Sequence, residues 1–239
     1  MNTMKIDRGQ TKLIAHRGLS GIEQENTCAA FVAAGNRSYF GIETDVHVTA
    51  DGGYVVFHDD TTARIGLDDL TVEKSTYETL RALRLTDKDG KRGRTDLRIP
   101  SLEEYVLLCK KYEKFAVLEL KNRFTKEQVW QIVSIISDLG WLANTIFISF
   151  EMGNLVDLRE KYPGQPVQFL TDTYSDALID ELAEKQMDLD IEYTELTEDR
   201  IAHIHEKGLK VNCWTNDDPT CAQNLVSWGI DYITSNILE

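Results

Sequence analysis

The stretch GIETDVHV, residues 41–48, decides the fold class because it combines a strand pattern with charged groups along one face. Its β-branched and apolar residues favour a strand, and successive side chains of a strand point to opposite faces. Glu43, Asp45 and His47 therefore project to the same side. In a parallel barrel, carboxylates near the carboxyl end of a strand would line the mouth of the barrel, where reactions occur.

Short apolar runs of this kind alternate with amphipathic stretches along almost the whole chain, as in repeated strand–helix units. The predicted strands are Lys12–His16, Gly41–Val48, Phe115–Lys121, Thr145–Phe150, Pro166–Leu170, Met187–Ile191, Lys210–Cys213 and Tyr232–Thr234. Helices are predicted between them at Thr27–Ala34, Leu102–Tyr112, Lys126–Leu139, Gly153–Lys161, Asp176–Gln186, Glu198–Lys207 and Pro219–Trp228. This alternation predicts an α/β protein with a closed (β/α)8 TIM barrel.

Two stretches interrupt the alternation. The turn signal at residues 51–53 predicts a hairpin that returns through Tyr54–His58. The charged segment from about residue 60 to residue 99 contains only a weak helix, Tyr77–Leu83, and would make a poor independent core. Because 239 residues is a usual length for one barrel, we predict a single domain, 1–239, with an insertion at about 60–99 after the second strand.

The charge of the chain argues against polyanionic partners. Lys and Arg number 26 against 40 Asp and Glu, which gives a net charge of −14. Without a basic stripe, we expect no nucleic-acid binding, and the apolar runs are too short for stable membrane association. The first residues show no signal-peptide pattern and the four cysteines show no pairing motif, so we expect a cytoplasmic protein. The oligomeric state stays open.

Three carboxylates form the candidate metal site. Glu119 lies on the third predicted strand, and it joins Glu43 and Asp45 at the barrel mouth. Converging carboxylates repel one another unless a cation lies among them, and all-oxygen ligands favour Mg²⁺ or Ca²⁺ over zinc. The alternative interpretation is an ion-pair cluster with Arg17 and Lys121 that contains no metal.

Two histidines are candidates for proton transfer. His16 ends the first strand and His58 follows the hairpin, and imidazole titrates near neutral pH. Each could instead be a hydrogen-bonded structural residue. His47 could reach the edge of the site, although a structural role is the simpler interpretation. Phe150 and Trp214 lie at strand ends, where they would either line a substrate pocket or pack in the core.

The order and spacing of these residues resemble the glycerophosphodiester phosphodiesterase family. The similarity is most specific over residues 12–61 and extends more weakly over nearly the whole chain. The motifs are His16-Arg17-Gly18, Glu25-Asn26-Thr27, Glu43-x-Asp45-Val46, Thr49-x-Asp51-Gly52, Val55-Val56-x-His58-Asp59, Leu118-Glu119-Leu120-Lys121, Ile148-Ser149-Phe150, Trp214-Thr215 and Gly229-Ile230-Asp231.

The resemblance implies metal-assisted cleavage of a small-molecule glycerophosphodiester to glycerol 3-phosphate and an alcohol, on a TIM barrel with a small insertion. It assigns the cation to Glu43, Asp45 and Glu119, acid and base catalysis to His16 and His58, and phosphate neutralisation to Arg17 and Lys121. The chain departs from the family pattern at Gln24, where Pro is frequent, and at Ser235, where an acidic residue commonly follows Thr234.

Two other functions stay open at this point. A lysophospholipase D or sphingomyelinase D type of activity would use the same fold on a lipid substrate. A phosphodiester-binding or metal-binding module without catalysis would have no need for both His16 and His58. The presence of both histidines favours an enzyme.

Overall fold

A computed structural model describes residues 2–239 and shows a closed barrel of parallel strands. Its strands are β1 (Lys12–Ala15), β2 (Gly41–Val48), β3 (Tyr54–Val56), β4 (Phe115–Leu120), β5 (Thr145–Ser149), β6 (Val167–Thr171), β7 (Asp188–Glu192), β8 (Val211–Trp214) and β9 (Tyr232–Ser235). The strand order is β1-β9-β8-β7-β6-β5-β4-β2-β3, and the pairing of β1 with β2 closes the barrel. Only β3 is antiparallel, as the predicted hairpin partner of β2. The predicted TIM barrel is confirmed.

Except for the helix that begins at Met152, the helices within residues 2–239 begin after a residue whose side chain caps the first turn. They are α1 (Cys28–Gly35), α2 (Tyr77–Ala82), α3 (Leu102–Lys111), α4 (Lys126–Asp138), α5 (Met152–Lys161), α6 (Asp176–Lys185), α7 (Glu198–Glu206) and α8 (Pro219–Ser227). Ser101 and Glu104 form a capping box at α3, and Pro219 opens α8 after the Asp218 cap. No helix within residues 2–239 is long and apolar enough to cross a membrane.

Alternation along the strands separates two apolar layers. Leu13 on β1 packs between the barrel and its helices, whereas its neighbour Ile14 packs in the barrel interior. The interior layer consists of Ile14, Val117, Ile146, Ile148, Leu170 and Tyr232. Above this apolar plug, toward the carboxyl ends of the strands, the interior positions become polar. This change places the functional site at the mouth of the barrel.

The segment of residues 60–99 packs as a layer on the hairpin strand β3. It contains two short 3-10 turns, Thr62–Arg64 and Val72–Lys74, followed by α2. Its buried apolar side chains join two from the hairpin in one cluster: Val55, Phe57, Ile65, Val72, Leu80, Leu83, Leu85, Leu97 and Ile99. The first 3-10 turn brings Arg64 to the edge of the barrel mouth.

Glu239 ties the N-terminal segment to the loop before β2. Its carboxylate accepts hydrogen bonds from Thr3 Oγ1 at 2.7 Å and from the Ser38 N–H and hydroxyl at 2.8 Å. Lys5 Nζ lies 2.7 Å from the same group. Burial raises the pKa of Glu239, but these donors outweigh it and lower the pKa to about 2.

We expect Glu239→Gln to lower the free energy of unfolding by about 1 kcal/mol at neutral pH, because part of the ionic contribution is screened by solvent. The folded pKa of about 2 lies below the ordinary value of 4.5, so the carboxylate stabilises the fold above pH 4.5. That contribution is lost as the pH falls through 2. Urea unfolding of both proteins across this range should show a shrinking difference, and a constant difference would contradict this account.

Candidate active site

A cavity of about 120 Å³ opens at the carboxyl ends of the barrel strands. Every predicted site residue except Asp45 lines it. The lining consists of His16, Arg17, Glu43, His58, Glu119, Lys121, Ile148, Phe150, Leu170, Asp190, Trp214, Thr215 and Thr234. Asp45 lies directly behind the wall and is 1% exposed. Residues from almost every barrel strand therefore meet in one place, as the sequence predicts.

The three predicted metal ligands form one buried cluster. Glu43 and Asp45 lie on β2, and Glu119 lies beside Asp45 on the neighbouring strand β4. One carboxylate oxygen from each lies within 4.8 Å of the others. Glu43 Oε2 accepts a hydrogen bond from the backbone N–H of Arg17 at 2.8 Å. Asp45 Oδ1 and Glu119 Oε1 are buried without a hydrogen-bond partner.

Cationic side chains compensate this cluster only in part. Lys121 Nζ lies 3.1 Å from Glu119 Oε1 and 3.7 Å from Asp45 Oδ1, and Arg17 Nε lies 3.7 Å from Asp45 Oδ2. Burial raises the pKa of Asp45, but Arg17 and Lys121 outweigh it and bring the pKa to about 2. Burial and the Asp45 charge raise the pKa of Glu119 to about 8. The same two causes raise the pKa of Glu43 well above its usual range.

These observations test the two interpretations of the carboxylates. The ion pairs of the metal-free alternative are present, but the raised pKa values of Glu43 and Glu119 indicate that these two carboxylates stay short of positive charge. Asp45 Oδ1 and Glu119 Oε1 lie near Lys121 Nζ without a hydrogen bond of good geometry, and carboxylate oxygens of this kind suit a hard divalent cation. The residues therefore fit Mg²⁺ or Ca²⁺.

The loop after β1 shapes this cluster through two residues with left-handed backbones. Arg17 has φ 53° and Asn26 has φ 52°, which non-glycine residues adopt only where the surrounding contacts compensate the strain. The first conformation directs the Arg17 N–H at Glu43. Asn26 Nδ2 donates to Asp45 Oδ2 at 2.7 Å and its Oδ1 accepts from Thr44 Oγ1 at 2.6 Å. The Glu-Asn-Thr motif therefore fixes a carboxylate as well as capping α1.

His16 is held in one tautomer. Its Nδ1 lies 2.8 Å from Asn236 Oδ1, and Asn236 Nδ2 donates to Asp217 Oδ2 at 2.7 Å, which fixes the direction of the amide. Because an amide oxygen only accepts, Nδ1 carries the proton and Nε2 is free, 4.0 Å from Glu43 Oε2. Burial and the Arg17 charge lower the pKa of His16 to about 4.

Asp217 contacts the position after Thr234 at which this chain departs from the family pattern. Its Oδ1 accepts from Ser235 Oγ at 2.8 Å and from the backbone N–H of Asn236 at 2.7 Å. A carboxylate from the loop after β8 therefore holds Ser235 and Asn236, although Asp217 does not line the cavity. The sequence contains Asp217 without any signal that it would contact residues on β9 and beyond.

His58 has a carboxylate partner instead of an amide. Its Nδ1 lies 2.6 Å from Asp59 Oδ1, and burial lowers its pKa. Arg64 Nε donates to the other oxygen of Asp59 at 2.7 Å, and the terminal nitrogens of Arg64 donate to both oxygens of Glu25. Glu25 also accepts a hydrogen bond from the Arg17 guanidinium at 2.9 Å. A continuous ion-pair chain therefore joins His58 to the loop after β1. The sequence indicates Asp59 by its position next to His58, but it gives no signal for Arg64.

His47 has the structural role that is the simpler interpretation of its position. Its side chain is fully buried, with Nδ1 3.1 Å from Glu73 Oε1 and Nε2 3.4 Å from the His58 carbonyl oxygen. It does not line the cavity, and it supports the backbone that carries His58.

The wall opposite the carboxylate cluster is less polar. The rings of Phe150 and Trp214 meet edge to face with centroids 5.6 Å apart, and both line the cavity. Asp190 and Thr234 also line the cavity, although neither was predicted from the sequence as a site residue. Asp190 alternates with apolar neighbours on β7 in the same manner as Asp45 on β2, which is the signal that could have identified it.

The mouth of this closed β/α barrel combines buried carboxylates, two oriented imidazoles and two cationic side chains. Together these groups define an enzyme of the phosphoric ester hydrolase class. The particular family follows from comparison with known proteins. The model of the glycerophosphoryl diester phosphodiesterase family matches residues 16–238, and this chain belongs to that family.

Two relatives and one solved structure match along nearly their whole length. YhdW of Bacillus subtilis (strain 168) is 30% identical over 234 residues, which cover 94% of this chain and 93% of that protein. A glycerophosphodiester phosphodiesterase of Caldanaerobacter subterraneus is 27% identical, and the match covers 95% of this chain and 94% of that protein. An Oleispira antarctica phosphodiesterase, solved in complex with the product sn-glycerol-3-phosphate, is 25% identical in sequence and superposes with a TM-score of 0.87. The match covers 98% of this chain and 96% of that chain.

With the expected acid–base role of His16, Asn236→Ala should release its tautomer and lower kcat by about 10- to 100-fold with little change in KM, since a mispositioned imidazole affects proton transfer and not binding. Long-range ¹⁵N–¹H spectra should show the Nδ1–H tautomer in the wild type and a mixture in the variant. Ser20→Ala is the matched control, because Ser20 Oγ donates to the same amide oxygen at 2.6 Å without contacting His16. Equal losses in both variants would contradict this role of Asn236.

Proposed function

We propose that this protein hydrolyses glycerophosphodiesters to glycerol 3-phosphate and an alcohol, with a bound divalent cation and with His16 and His58 as base and acid. The observation that carries the proposal is the convergence in one cavity of the carboxylate cluster with two imidazoles that each keep Nε2 free. The Oleispira enzyme, which binds the product glycerol 3-phosphate, supports the same substrate class.

Glu43, Asp45 and Glu119 would hold the cation. When bound, a divalent cation supplies Lewis-acid stabilisation of the negative charge that develops on the phosphoryl oxygens. We propose Mg²⁺ or Ca²⁺, because all three donors are carboxylate oxygens. Without a cation, Glu43 and Glu119 would take up protons, as their raised pKa values indicate.

Arg17 and Lys121 would bind the phosphate. Both line the cavity, and both lie beside carboxylates that keep them charged in a buried setting. A guanidinium and an ammonium group on one side of a phosphodiester neutralise its charge and orient it for attack. Their carboxylate contacts also fix the two side chains before the substrate arrives.

The partners of the two histidines favour a division of roles. His16 donates Nδ1–H to a neutral amide, so its free Nε2 would accept a proton from the attacking water or glycerol hydroxyl as the oxygen–phosphorus bond forms. His58 lies beside the Asp59 carboxylate, which stabilises an imidazolium. It would donate its proton to the departing alcohol oxygen as the second phosphorus–oxygen bond breaks.

The cavity favours a deacylated substrate over a lipid. Across residues 2–239 the exposed large apolar side chains are Met4, Leu107, Phe150 and Val156, and of these Phe150 alone lines the cavity. A lipid-acting enzyme would need a wider apolar surface at the mouth. Four free cysteines accord with a reducing cytoplasm, which we propose as the location.

Leaving-group ability separates the roles of the two histidines. With glycerophosphocholine, His16→Ala and His58→Ala should each lower turnover by about 10²–10⁴-fold, because both proton transfers are needed. With glycerophospho-p-nitrophenol, whose leaving group departs without protonation, His58→Ala should recover most of the wild-type rate while His16→Ala stays impaired. Release of glycerol 3-phosphate measures both reactions.

His205→Ala is the matched control for these variants, because His205 on α7 bonds to Asp231 just before β9 and lies outside the cavity. It should leave both rates unchanged. Recovery of His16→Ala instead of His58→Ala on the activated substrate would reverse the assignment, and recovery of neither would contradict it.

Removal of a cluster carboxylate should weaken metal binding. We expect Glu43→Gln to lower the affinity for Mg²⁺ or Ca²⁺ by more than about tenfold in calorimetric titrations, because a neutral amide replaces an anionic ligand. Chelation of the wild type should stop glycerol 3-phosphate release. Asp157→Asn removes a buried carboxylate outside the cavity and should bind metal as the wild type does. Undiminished binding by Glu43→Gln would place the ion elsewhere.

A further inference from the structure

Two polar groups on the wall opposite the carboxylate cluster have no hydrogen-bond partner. They are Asp190 Oδ1 on β7 and Trp214 Nε1 at the end of the adjacent strand β8. Both atoms are buried, and both residues line the cavity. Neither group has a part in the proton transfers or phosphate contacts described above. A buried donor or acceptor without a partner destabilises a protein, so such groups persist where a ligand satisfies them.

The polar layer around Asp190 is otherwise satisfied. Asn212 Nδ2 donates to Gln168 Oε1 at 3.3 Å, and Asn212 Oδ1 accepts from Thr234 Oγ1 at 3.2 Å. Those groups bond to one another, and Asn212 is the neighbour of Asp190 in the strand register. Asp190 Oδ1 receives no hydrogen bond from this layer, and Asp190 lines the cavity.

The chemistry of the two groups complements a polyol. A carboxyl group accepts hydrogen bonds, and an indole N–H only donates. An alcohol hydroxyl both donates and accepts, so it can bond with either group. Adjacent strands present the two groups, and a glycerol moiety carries two free hydroxyls on adjacent carbons.

We propose that Asp190 and Trp214 Nε1 bind the free hydroxyls of the glycerol moiety and thereby determine which side of the phosphodiester enters the barrel. This inference rests on the proposed function and identifies the part of the substrate that the enzyme recognises. The phosphate lies between this wall and the Arg17 and Lys121 side, and the variable alcohol then points outward past His58, whose side chain is 31% exposed. The small cavity suits a three-carbon polyol on the inner side.

A pair of matched ligands tests the recognition without catalysis. Glycerol 3-phosphate and n-propyl phosphate carry the same phosphate and the same carbon chain, but only the first has hydroxyls. Calorimetric titration with the cation present should show the wild type binding glycerol 3-phosphate about 10- to 100-fold more tightly. Asp190→Leu should remove most of this preference by weakening glycerol 3-phosphate binding alone, with no loss of thermal stability, because it removes an unsatisfied buried carboxyl.

Trp214→Phe is the second variant, because it keeps an aromatic ring against Phe150 and removes only the N–H donor. It should lower the preference by about tenfold. Asp190→Ala replaces Asp190→Leu if the larger side chain does not fold. Gln168→Met is the matched control, since Gln168 belongs to the same buried polar layer but does not line the cavity. It should keep the wild-type preference.

Each other result overturns the inference. An unchanged preference in Asp190→Leu and Trp214→Phe would show that the hydroxyls bind elsewhere. Equal weakening of both ligands would show that these side chains only shape the phosphate site. Failure of the proposed function would look different, because the wild type would then release no glycerol 3-phosphate from glycerophosphocholine with either cation, whatever its ligand preference.

Discussion

The structure depends on the concentration of buried negative charge at the barrel mouth. Glu43, Asp45 and Glu119 lie within one small cluster where solvent cannot screen them. Bringing three carboxylates together in a poorly solvated site is costly unless opposite charge accompanies them. Arg17 and Lys121 supply part of that charge, and the same two cations are the groups that a phosphodiester would contact. The proposed cation site and the proposed phosphate site therefore share one electrostatic origin.

The surroundings of the cluster show how the fold maintains this arrangement. The loop after β1 holds Arg17 and Asn26 in left-handed conformations, and each contacts a cluster carboxylate. On one side, Asp217 directs the Asn236 amide toward His16. On the other side, an ion-pair chain runs through Asp59 and Arg64. The side chains proposed to react are thus positioned by hydrogen bonds and ion pairs from loops at the ends of the strands.

The insertion after β2 contributes to the site although it lies outside the barrel. Its apolar residues pack against the hairpin strand β3 and form a separate cluster. This packing fixes the 3-10 turn that carries Arg64, whose guanidinium bridges Asp59 and Glu25. Glu73 from the second 3-10 turn bonds to His47, which supports the backbone at His58. A segment that looks like a polar excursion therefore acts as the support of one histidine.

The sequence by itself determined the strand and helix alternation, because hydrophobic periodicity and capping residues are local and set each element within about a residue of its observed bounds. The sequence also indicated which residues of the motifs between Arg17 and Lys121 are candidates for the site. The two-residue period of a strand places its carboxylates on one face whatever the rest of the chain does. Only the tertiary structure decided that Asp217 would bond to Ser235, that Arg64 would connect Asp59 to Glu25, and that Asp190 would line the cavity with an unpartnered oxygen. These contacts join residues far apart in the chain, and their formation depends on barrel closure and loop packing, which no local pattern encodes.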